Sequence, residues 1–92
     1  DITDVPHIER ELALIKIHTA DSSVRDEVMR LVNIFRAKVI DVSSDTYTVE
    51  ITGDQDKINA FIDLVRPFGL KDVSRTGVLA VVRESQKDRI EI

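Results

Sequence analysis

ERELALIKIHTADSSVRDEVMRLVNIFRAKVIDV, residues 9–42, reads as an apolar run, an amphipathic helix and a second apolar run. TYTVEITGDQDKINAFIDLVRPFGLKDVSRTGVLAVVR, residues 46–83, repeats that order. Together they spell β-α-β followed by β-α-β. The pattern predicts an α+β fold, a ferredoxin-like split βαβ (βαββαβ) sandwich, with a four-stranded antiparallel sheet and two helices on one face. It also uses nearly the whole chain as scaffold.

The local signals give the elements. A first strand over Glu9–His18 alternates Ala13, Ile15 and Ile17 on one face with Leu12 and Leu14 on the other. A helix over Ser23–Arg36 carries Val24, Val28, Leu31, Val32 and Phe35 on one stripe. Ser22 or Ser23 is its expected cap. A second strand spans Lys38–Val42, a turn Ser43-Ser44-Asp45, and a third strand Thr46–Thr52. Gly53-Asp54 opens a second helix over Asp54–Val65, with Ile58, Phe61, Ile62 and Val65 as its stripe. Pro67 ends it. The fourth strand is expected at Val78–Arg83. In this topology the first and third strands are central and the fourth is an edge. An edge as apolar as Val78–Val82 is an aggregation hazard unless it is covered. This predicts a homodimer using that strand or the outer sheet face.

Ninety-two residues make one domain. The expected layout is a linker at 1–8, the domain at 9–84 and a charged tail at 85–92. The chain begins at Asp1 and reads as a piece of something longer or a processed product. A net charge of −4 argues against nucleic acid and against anionic membrane surfaces. Without cysteine there is neither a disulfide nor a thiolate metal site. No apolar run approaches the ~18–20 residues that cross a bilayer. These features fit a cytoplasmic protein.

Candidate chemistry is sparse. His7 and His18 lie at opposite ends of the first strand, so no metal pair is expected. Asp41, Asp45, Glu50 and Asp54 alternate with serine and threonine on a solvated face. Ser43, Ser44 and Ser74 lack a nucleophile elbow, and three glycines are too few for a phosphate cradle. An acylphosphatase-like site would need an arginine and an asparagine around a loop, whereas Asn33 and Asn59 are mid-helix. No catalytic, cofactor-binding or metal residue is expected. The most distinctive local segment is Ser74-Arg75-Thr76-Gly77. Its plainer reading is a turn or bulge entering a strand, and its functional reading is an anion or partner contact through Arg75. Arg75, Thr76, Gly77 and Arg83 are the candidate partner-contact residues.

Four segments carry a resemblance: ERELALIK at 9–16, IFRAKVIDV at 34–42, YTVEITG at 47–53 with Lys57, Ile58, Phe61 and Ile62, and PFG at 67–69 with RTG at 75–77, Ala80 and Arg83. In order and spacing they resemble the C-terminal domain of the regulatory (small) subunit of acetohydroxyacid synthase, also called acetolactate synthase. The resemblance implies a ferredoxin-like domain and a non-catalytic role in branched-chain amino acid biosynthesis. It implies a catalytic large subunit as partner, which holds the thiamine diphosphate, Mg and FAD, so this chain holds no cofactor. It also implies contacts that support activation and valine feedback inhibition, with the effector site on an N-terminal ACT domain ending near Ile2-Thr3. The location implied is cytoplasmic in a bacterium and an organelle in a eukaryote. The alternative class is a small-ligand or metal-sensing oligomerisation domain of the same architecture.

Overall fold

The structure, a computed structural model, describes residues 6–84. Strand β1 is His7–His18, helix α1 is Ser22–Ile34, and strands β2 and β3 are Lys38–Val42 and Thr46–Gly53. Helix α2 is Gln55–Val65, followed by a 3-10 turn at Arg66–Phe68. Strand β4 is Leu70–Arg75 and strand β5 is Leu79–Val82. The sheet runs β2-β3-β1-β4 with every pairing antiparallel, and β5 also pairs with β1. This is the expected βαββαβ arrangement with a fifth strand added.

The fourth strand therefore differs from the sequence expectation. Leu70–Arg75 fills the edge position, and the Val78–Arg83 run supplies β5 instead. Strand length explains the difference. β1 has twelve residues and is roughly 40 Å long. β4 covers only its Ala13–Ile17 half, and β5 docks end to end along His7–Arg10 of the same edge. His7 and Ile8, expected in a linker, belong to β1. The expected tail at 85–92 and residues 1–5 lie outside the described residues.

One face of the sheet meets the helices. Ala13, Ile15 and Ile17 of β1 and Val49 and Ile51 of β3 are buried against Val28, Leu31 and Val32 of α1 and Ile58, Phe61, Ile62 and Val65 of α2. Phe35 and Phe61 meet edge to face, with centroids 5.4 Å apart. These are the stripes that the 3.6-residue period places on one side of each helix. Among the described residues no helix covers the opposite sheet face. It presents Leu12, Leu14 and Lys16 of β1 beside Thr48, Glu50 and Thr52 of β3.

The helix starts rest on aspartates. Asp21, rather than either serine, caps α1 by accepting from Ser23 N at 2.9 Å. Asp54 caps α2 by accepting from Lys57 N at 2.8 Å. Asp54→Ala should cost about 1 kcal/mol. That is a fall of about 4–8 °C in Tm for a domain of this size, readable by thermal circular dichroism. Past α2, Gly69 takes φ +102°, and a Cβ there would sit 2.9 Å from His18 Cδ2. Only glycine lets the chain turn this close to β1, where His18 N donates to Gly69 O at 2.9 Å.

Candidate functional site

Between β4 and β5 the edge strand breaks its ladder. Arg75 lies opposite Ala13 and Leu79 opposite Arg10, so one extra residue is accommodated at Thr76–Val78. Gly77, at φ +82°, provides the left-handed kink of this bulge. Two side chains, Thr76 and Glu11, and one backbone bond hold the break together. Leu12 N donates to Thr76 Oγ1 at 3.1 Å, and Thr76 N donates to Leu12 O at 3.0 Å. Gly77 N donates to Glu11 Oε2 at 3.1 Å.

Glu11 also receives the fork of Arg75, from Nη2 to Oε1 at 2.6 Å and from Nε to Oε2 at 3.1 Å. Arg75 Nη1 reaches across to Asn59 Oδ1 on α2 at 2.7 Å. The Glu11 side chain is almost fully buried, while Arg75 keeps 30% exposure. A carboxylate so enclosed is tolerable because both oxygens accept charge-assisted bonds. The Arg75 hydrogen bonds hold the Glu11 carboxyl below its ordinary value of 4.5, with help from Gly77 N–H and against the opposing effect of burial. Glu11 in turn stabilises the Arg75 cation.

Three of the four residues singled out in the sequence, Arg75, Thr76 and Gly77, thus meet at one junction. Ser74 and Arg75 end β4, and Thr76-Gly77 form the bulge, as the plainer reading of that segment had it. Arg75 makes its forked contact within the chain. Arg83 lies apart, at the far end of β5, where its N–H donates to Pro6 O at 3.0 Å. Its side chain lines an open cavity of about 570 Å³ with His7, Ile8, Glu9, Arg10 and Asp54. Sequence reasoning missed Glu11 and Asn59.

Beyond the junction, β5 and the first residues of β1 form a two-stranded ribbon past the end of the helical layer. Leu79 is 72% exposed and Val81 69%. Ile8 and Val82 are also exposed. Leu79 pairs with Arg10 and Val81 with Ile8, which places them on the helix-free face with Leu12 and Leu14. Arg10, Glu11, Leu12, Thr52, Thr76 and Leu79 line a notch of about 280 Å³ there. Among the described residues no group of three or more His, Asp or Glu gathers to hold a metal, and no helix is long and apolar enough to cross a membrane.

Residues 10–84 match the sequence profile of the family described as the small subunit of acetolactate synthase. The acetolactate synthase small subunit of Aquifex aeolicus is 64% identical over 84 residues, covering 91% of this chain and 44% of the relative. Acetolactate synthase small subunit 2, chloroplastic, of Arabidopsis thaliana is 49% identical over 84 residues, covering 91% of this chain and 17% of the relative. The crystal structure of the acetolactate synthase small subunit from Thermotoga maritima superposes with a TM-score of 0.80 at 40% identity, over 87% of this chain and 48% of that one. The chain thus spans half or less of the length of these relatives. A sequence profile that covers the sheet, both helices and the bulge settles the membership: this chain belongs to the acetolactate synthase small-subunit family.

Proposed function

We propose that this chain is the C-terminal domain of a non-catalytic regulatory subunit. It acts by docking to the catalytic large subunit of acetolactate synthase, supporting both activation and feedback inhibition. The observation that carries this reading is the ribbon, because among the described residues its apolar strand β5 stays exposed beside a complete core. Thiamine diphosphate, Mg and FAD belong to the catalytic partner in this reading, and the effector site belongs to a preceding ACT domain. The subunit works where its partner works, in the cytoplasm of a bacterium or in an organelle of a plant cell, and as a homodimer. Regulation then amounts to a difference in docking free energy between two states of the assembly.

Arg83 is the exposed polar anchor in this scheme, because a guanidinium pairs with carboxylates in a fork. The test is co-purification of the chain with the large subunit, followed by assay of acetolactate formation with and without the ACT domain. The chain alone is expected to bind, and valine sensitivity to require the ACT domain. Arg83→Ala is expected to weaken association several-fold while leaving Tm unchanged. If the chain fails to associate at micromolar concentrations, the regulatory reading falls. If association is unchanged in Arg83→Ala, the anchor assignment alone falls.

A further inference from the structure

The edge strand β4 lies to one side of the helix stripe that packs on β1 and β3, and its Val73 is left exposed. Leu70, Val73 and Arg75 lie opposite Ile17, Ile15 and Ala13 of β1, which are buried under the helices, so all three are on the helical side of the sheet. One flank of α2 carries Asn59, Ile62 and Asp63 and continues to Arg66, at i, i+3, i+4 and i+7. These two rows enclose a cavity of about 450 Å³. That volume is in the range of small-ligand sites, roughly 300–1,000 Å³.

The cavity has an apolar floor and a surplus of donors. Ile62, Leu70 and Val73 make the floor. At one end, Arg75 spends its Nε–H and one Nη2 hydrogen on Glu11, and one Nη1 hydrogen on Asn59 Oδ1. A guanidinium has five N–H groups, so one hydrogen remains on each terminal nitrogen. Asn59 accepts through its oxygen, and among the described residues nothing accepts from its Nδ2. At the other end, Arg66 meets Asp63 at 3.8 Å, too far for a hydrogen bond. Only the exposed Asp63 offers acceptors to this whole set. A ligand that fits must therefore bring acceptor oxygens at one end and a hydrocarbon body behind them.

We propose that the groove between α2 and β4 is a binding site for a small aliphatic carboxylate. Arg75 and Asn59 hold the carboxylate by charge-assisted bonds, the hydrocarbon lies on Ile62, Leu70 and Val73, and Arg66 closes the far end. The fork to Glu11 fixes the Arg75 guanidinium before any ligand arrives, which removes the ordering cost of a long side chain. The site goes beyond the regulatory reading and stands without it.

Titration of the isotopically labelled 92-residue chain with hexanoate tests the proposal by nuclear magnetic resonance. The methyl signals of Ile62, Leu70 and Val73 and the side-chain amide of Asn59 are expected to shift together and saturate on the order of millimolar, as suits a ligand of so few atoms. Acetate, which has almost no hydrocarbon, is expected to bind about tenfold or more weakly. Hexylamine, with the opposite charge, is expected to leave these signals in place. Asn59→Leu removes the amide, keeps the Arg75–Glu11 fork and is expected to weaken hexanoate about tenfold. Arg66→Gln is expected to weaken it several-fold. Val73→Trp fills the floor and is expected to abolish binding. Unchanged far-ultraviolet circular dichroism in each variant separates a lost site from a lost fold. Hexanoate that produces no saturable shift at these groups overturns the proposal. So does hexylamine that binds as well as hexanoate, or Val73→Trp that binds as the wild type does. Unchanged affinity in both Asn59→Leu and Arg66→Gln overturns it as well.

Discussion

Phe61→Ala is expected to remove most of the stability of this domain. Phe61 is fully buried at the centre of α2, and the ring of Phe35 abuts it edge to face. Its removal takes away the transfer free energy of the ring and leaves a cavity among Ile15, Ile51, Ile58 and their neighbours, which are themselves fully or almost fully buried. Such truncations cost about 3–5 kcal/mol. A domain of this length holds about 5–10 kcal/mol in total. The variant should therefore unfold about 12–40 °C lower, at the usual 4–8 °C per kcal/mol for small domains. Phe61→Leu, which leaves less empty volume, should fall between it and the wild type. Urea unfolding followed by circular dichroism at 222 nm checks this, with an unchanged m-value expected if the native state stays compact. A shift of only a few degrees would mean that the core does not close around this ring.

The stripe containing Phe61 was legible in the sequence because a helix announces its buried face every three or four residues. Val28, Leu31 and Val32 of α1, and Ile58, Phe61, Ile62 and Val65 of α2, were read from spacing and are buried. β4 was not legible. Its pairing with β1 shifts register between Lys16 and Ile17, which breaks the period of two and leaves Leu70 and Val73 three apart. An edge strand needs little apolar content, so Leu-Lys-Asp-Val-Ser-Arg carried no strand signal. Val78–Val82 carried a strong one and was given the edge position that β4 holds. Its apolar character on both faces reflects exposure past the helical layer rather than burial within it. Glu11 falls in step with Ala13, Ile15 and Ile17, and only its charge argued against burial. The resolution lies sixty-four positions later in Arg75, a distance at which no local rule operates. Arg75 was singled out for a contact outside the chain, and it makes its forked contact inside.

The Glu11–Arg75 junction should respond to pH in one direction only. The folded carboxyl titrates below its ordinary value of 4.5, chiefly through the Arg75 hydrogen bonds. A depressed folded value means that the charged form stabilises the native state. That stabilisation is complete above the unfolded value and disappears as pH falls through the folded one. Glu11→Gln retains the shape and removes the charge. The stability gap between wild type and Glu11→Gln should therefore be constant at neutral pH, begin to close as pH nears 4.5, and vanish once Glu11 is protonated in the native state. Asp21 and Glu27 also titrate low, through Ser23 and Arg30, but both proteins share them and they cancel in the difference. The two partners should not be equivalent to remove. Arg75→Ala strands an almost fully buried anion, whereas Glu11→Leu frees an arginine that already reaches water. Arg75→Ala should be the more damaging of the two. Amide exchange at Leu12 and Gly77, the backbone groups that the junction ties down, should quicken by about tenfold or more in Arg75→Ala. Exchange at Ile58 and Ile62 should follow only the global stability. Equal losses in the two variants, or a gap to Glu11→Gln that does not change with pH, would mean that Thr76 and the backbone hold the bulge without the ion pair.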